Sequence, residues 1–74
     1  MMNYKTEVYD TFDGGASFGC AFVQDATNGR WLEIGRTCNF RTHPCAVRAR
    51  KAADNLCKRH AKAHGKGPFT LVRA

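Results

Sequence analysis

The stretch from Thr42 to Gly65 constrains the fold most, because it alone is long and regular enough to form a helix on which the rest of the chain can pack. At roughly 100° per residue, Ala46, Ala49, Ala53, Leu56, Cys57, His60 and His64 fall on one side, and Arg48, Lys51, Lys58, Arg59 and Lys62 fall on the other. One side belongs to a core, the other to water or a partner. Thr42 or His43 is the expected N-cap, with Pro44 in the first turn, where its missing N–H costs nothing. Gly65 is the expected stop, after a basic last turn that suits the helix dipole.

Upstream of the helix the pattern changes from a period of 3.6 to a period of 2. Tyr4, Thr6, Val8 and Phe12 alternate with Lys5, Glu7 and Tyr9, which predicts a first strand. Asp13-Gly14-Gly15 reads as a turn, since Asp-Gly supplies the positive φ of tight hairpins. Ser17 to Gln24 follows as a second strand, Arg30 to about Cys38 as a third, and Phe69 to Arg73 as a short last strand launched by Gly67-Pro68. The expected fold is α+β with the order β-β-β-α-β, an antiparallel sheet carrying one amphipathic helix on one face. At 74 residues it forms one domain, spanning 1–74, and a domain of this size buries only ~60% of its unfolded surface.

Asn28-Gly29 is the strongest turn signal, and the loop built on it decides which side chains share a sheet face. A two-residue loop sets Phe22 opposite Gly35. A three-residue loop, Thr27-Asn28-Gly29 with Gly29 left-handed in a bulge, sets Phe22 opposite Ile34 and Gln24 opposite Leu32. The second register makes one face consistently apolar, and a one-residue slip would turn every side chain over. It predicts Phe18, Cys20, Phe22, Leu32 and Ile34 toward the helix, with Ala21, Val23, Trp31 and Glu33 outward.

Charge is unevenly spread along the chain. Residues 1–35 hold two basic against five acidic residues, a net −3, and residues 36–74 hold ten basic residues against Asp54 alone, a net +9. The total of +6 thus belongs to the helix and its flanks, and predicts one positive surface. The residues expected to form it are Arg41, Arg48, Lys51, Lys58, Arg59, Lys62 and Lys66. Rows of Lys and Arg contact phosphates, which supply most non-specific nucleic-acid affinity. Solvated helix faces usually mix both signs.

Other constellations carry less. Cys57, His60 and His64 lie within two helical turns, and Cys20 or Cys38 could complete a zinc set. Zinc fingers, however, draw a close Cys pair from a hairpin, and free Cys is among the most buried residues, so no metal and no cofactor is expected. Four cysteines permit three disulfide pairings, but the opening residues Met1 to Glu7 lack the hydrophobic region of a signal peptide. A cytoplasmic setting with reduced thiols is expected. No apolar run approaches the ~20 residues of a membrane span, so no membrane partner is expected. His43-Pro44-Cys45 could activate a thiol at a helix start, yet neither an oxyanion stabiliser nor a substrate cleft accompanies it. An enzyme is not expected.

Tyr9, Val23 and Trp31 are expected together on the outer sheet face, as a protein-contact surface or a homodimer face. Two functions follow from these features, with a small zinc-binding domain as a further alternative. One is a small binding module whose basic helix contacts nucleic-acid backbone. The other is an inhibitor or adaptor that docks on an acidic protein surface, similar in type to the compact α+β inhibitors of host machinery that phages encode. The Phe40-Arg41-Thr42 entry to an Ala-rich helix loosely resembles small ββα-type domains, including DNA-binding ones with a basic outer sheet face, whereas the outer face expected here mixes both signs.

Overall fold

The computed structural model describes residues 2–11, 15–37, 45–64 and 69–72. Strands β1 (Met2–Asp10), β2 (Ser17–Gln24) and β3 (Trp31–Arg36) precede the helix α1 (Ala46–Ala63), and β4 (Phe69–Val72) follows it. The order is the β-β-β-α-β expected. The sheet order is β3-β2-β1-β4, with β1 antiparallel to β2, β2 antiparallel to β3, and β4 parallel to β1. The parallel pair makes the sheet mixed where an antiparallel one was expected. Two hairpins leave β3 running the same way as β1, and a helix of 18 residues returns the chain about 27 Å, a strand length, before β4 starts. β4 therefore runs with β1.

The first hairpin closes where the Thr11 N–H donates to the Ala16 carbonyl. Phe12, Asp13 and Gly14 lie outside the described residues. At the second, the Asp25 N–H donates to Arg30 and the Gly29 N–H to Asp25, so the loop is the four residues 26–29. Gly29 has φ of 72°, the left-handed conformation expected of it. Asp25 Oδ1 accepts from the Thr27 N–H and hydroxyl, bonds that hold this carboxyl below the usual carboxylate range.

The longer loop overturns the expected register of β2. Phe22 pairs with Glu33 and Gln24 with Trp31, and a bulge then shifts the ladder so that Ala21 pairs with Gly35. Phe18, Cys20 and Phe22 consequently share a face with Lys5, Glu7 and Tyr9, away from the helix, while Ala21 and Val23 turn toward it. The reason is steric. A Cβ on Gly19 would lie 2.6 Å from the Ala49 carbonyl oxygen and 2.8 Å from the Ala53 Cβ, so the helix sits too close to β2 for anything but small residues beneath it. The bulge keeps Ile34 on the helix side, where it packs on the core, and Trp31 stays on the outer side, both as expected. Leu32 opposite Val23 is on the helix side by register but half exposed near the hairpin end.

Ala49, Ala53, Cys57 and Ala61 form the buried stripe of α1. Cys57 and Ala61 meet Tyr4 and Ala21, with Met2, Val23, Ile34, Leu56, Phe69 and Leu71 packed around them, and Ala49 and Ala53 lie over Gly19. Tyr4 is fully buried, edge-on to Phe69 and to His60. Ala46 and His64, placed on the core side by periodicity, are exposed because they sit at the two ends of the helix. The helix begins later than expected. Cys45 is its N-cap, with extended backbone and no side-chain hydrogen bond, and Thr42 to Pro44 fall outside the described residues, as does Gly65.

Candidate functional site

The helix presents two surfaces of opposite character, and the outer one is built by the same 3.6-residue period that buries the alanines. Arg48, Lys51, Asn55, Lys58, Arg59 and Lys62 are all exposed, and at about 100° per residue they occupy one arc of roughly 100° opposite the buried stripe. From Arg48 to Lys62 the row runs about 21 Å along the helix axis. Among the described residues the ion pairs are Lys5 with Glu7 and Arg36 with Glu33, so none of the five cations of this row is neutralised by a neighbour. Arg41 and Lys66, expected to extend the row, lie outside the described residues.

Asp54 is the one acid of the helix, and it does not join this face. It is half-buried on the sheet side, where the Thr6 hydroxyl donates to its Oδ1 at 3.3 Å. The first helical turn contains no acidic residue, and Arg48 stands in it at the positive end of the dipole. A cation there is unfavourable by a few tenths of a kcal/mol or more. Local stability therefore does not account for Arg48.

At the other end of α1 a polar cluster closes the core. The Tyr4 hydroxyl and His60 Nδ1 are 2.8 Å apart, and the His60 and His64 rings stack with centroids 4.2 Å apart. Burial, and then the charge of His64, hold the His60 imidazole below its ordinary value of 6.5. Burial, and then Cys57, push the Tyr4 phenol up. Cys57 lies in the core on the helix side, Cys20 across the sheet facing Tyr9, and Cys38 outside the described residues. Among the described residues no three His, Cys, Asp or Glu side chains converge as a metal would require, so Cys20 and Cys57 do not join the pair of His60 and His64 as one ligand set.

The outer sheet face is richer than the sequence reading made it. Tyr9 and Trp31 lie on it as expected, but Val23 belongs to the core side, turned there by the same register that sends Ala21 inward. Phe18 and Phe22 take its place. Tyr9, Phe18, Cys20 and Phe22, with Glu33 and Arg36, line a shallow groove of about 260 Å³. The Lys5 ammonium sits 5.2 Å from the Phe22 ring centre and 5.0 Å from that of Trp31. The Tyr9 hydroxyl donates to Glu7, which raises the phenol pKa. The signal that could have found Phe18 and Phe22 is the run of Gly19 and Ala21 between them, matched in size to Ala49 and Ala53.

Among the described residues no helix is long and apolar enough to cross a membrane. Comparison with family models, with curated proteins and with solved structures finds no match to this chain.

Proposed function

We propose that this chain is a small, non-enzymatic binding module that docks the outer face of α1 on the sugar-phosphate backbone of nucleic acid. The observation that supports it is the row of five exposed cations, Arg48, Lys51, Lys58, Arg59 and Lys62, with no ion pair among the described residues and with the single acid of the helix held on the sheet side by Thr6. An α-helix fits the ~12 Å major groove of duplex DNA, and phosphates along one strand are spaced ~3.4 Å per nucleotide on the axis, so a row of this length can meet several. Asn55 is the only exposed amide in the row, so base reading is slight. Arg41 and Lys66 would extend the row from either end.

Changing Lys58, Arg59 and Lys62 together to Glu tests this reading against generic duplex and single-stranded nucleic acid at low salt. Affinity should fall on the order of 100-fold, and alike for all sequences, because backbone contacts carry no sequence information. The fold should persist, since exposed substitutions typically change stability by under ~0.5 kcal/mol each. A parent protein that binds no nucleic acid at low salt but does bind an acidic protein surface would replace this reading with the inhibitor or adaptor reading.

A further inference from the structure

The face of the sheet opposite α1 is uncovered by any described element, and its chemistry differs from that of the basic helix. Tyr9 and Phe18 stand at one end of it, Trp31 at the other, and Phe22 between them. The charges in the rows between these ends balance to zero, Lys5 with Glu7 on β1 and Glu33 with Arg36 on β3, each paired within the chain. A polyanion finds no excess positive charge there. We infer that this face is the interface for a second copy of the chain, packed sheet on sheet about a two-fold axis that runs along β2.

The register carries the inference. Lys5, Phe22 and Glu33 stand in one row across β1, β2 and β3, and Glu7, Cys20 and Arg36 stand in another. In the first row the cation is on β1 and the anion on β3; in the second row the signs are reversed. A two-fold axis along β2 lays β1 of one copy over β3 of its partner at the same height. Lys5 then meets the partner's Glu33, and Glu7 meets the partner's Arg36. A two-fold interface has to complement itself, and this arrangement of signs does so in both rows. Packed sheets lie ~10 Å apart, a gap that Lys, Arg and Glu side chains bridge from the two sides, with Phe22 between the charged pairs and Tyr9, Phe18 and Trp31 toward the two ends.

The area sets the strength. Three strands span about 15 Å and the apolar patch runs about 25 Å along them, a footprint near 400 Å², about half of the ~800 Å² per partner of a standard stable interface. The dimer should therefore be weak and transient.

Sedimentation equilibrium of the parent and of two charge variants tests the geometry. The parent should pass from 8.2 kDa to twice that mass as its concentration rises. Glu33→Lys puts Lys5 over a lysine, and Lys5→Glu puts Glu33 over a glutamate, so each variant alone should dimerise at least tenfold more weakly than the parent. An equimolar mixture of the two restores both pairs and should associate about as well as the parent, because each copy then supplies what the other lacks. Circular dichroism of each variant checks that it is folded, and rescue in the mixture would itself show that both are. A parent that stays monomeric to about millimolar concentration overturns the inference and leaves the face to a different partner. Variants that dimerise like the parent, or a mixture that shows no rescue, overturn it too. Nucleic-acid binding by α1 does not enter this test.

Discussion

A Cβ on Gly19 would lie 2.6 Å from a backbone oxygen of the helix, and that oxygen cannot move aside without shifting Ala49 itself. Gly19 is also tied on its other side, since its N–H donates to Thr37 Oγ1 at 2.9 Å. Gly19→Ala should therefore destabilise the protein by about 1–3 kcal/mol, the usual cost of overpacking. Gly35→Ala is the control. Its Cβ would meet Leu56 Cδ1 at 3.5 Å, an ordinary contact, so stability should change by under about 0.5 kcal/mol. Urea unfolding of both variants decides, and equal midpoints would contradict the close approach of α1 to β2. The same contact explains why the facing of β2 was misread. Phe18, Cys20 and Phe22 are apolar, but so are Ala21 and Val23, and hydrophobicity cannot choose between two apolar parities. Residue size can, once Gly19 is set against Ala49 and Ala53.

At the level of elements, the helix was the most legible part of the chain, because its period places four small residues on one side and its cations on the other. Its N-terminus was not legible. Thr42, His43 and Pro44 carry the usual start signals, but Cys45, with φ of −149° and ψ of 158°, holds the cap position and makes no side-chain hydrogen bond there. A thiol is a weak acceptor, so the first N–H groups of α1 receive nothing from it. Cys45→Ser should stabilise the fold by about 0.5–1 kcal/mol, and Cys45→Asp somewhat more at low salt, through the helix dipole. The urea midpoint at constant m-value reads this out. No gain with either substitution would mean that other groups already satisfy the first turn. The parallel placement of β4 was likewise hidden, since strand direction follows from the return path of α1 and leaves no trace in the composition of Phe69 to Val72.

Across the whole molecule the charge asymmetry of the sequence becomes a separation in space, with the row of unpaired cations on the outer side of α1 and a charge-balanced aromatic face on the far side of the sheet. The two surfaces predict different responses to salt. Each phosphate neutralised on duplex DNA contributes about −0.9 to the slope of log affinity against log salt. The five cations Arg48, Lys51, Lys58, Arg59 and Lys62 therefore set a slope of about −4.5, or roughly a 500-fold loss of affinity between 50 and 200 mM salt, and Arg41 and Lys66 would steepen it. A single strand, at about −0.7 per phosphate, should give about −3.5. The triple Glu variant keeps only Arg48 and Lys51 of this row, and its slope should shrink to about −1.8 on duplex. The dimer pairs Lys5 with the partner's Glu33 and Glu7 with the partner's Arg36 beside apolar contact that salt does not screen, so it should weaken over the same salt range by less than the nucleic-acid complex. Fluorescence anisotropy at a series of salt concentrations measures the slopes. A parent slope near zero, or a triple variant that keeps the slope of the parent, would remove α1 from the nucleic-acid contact.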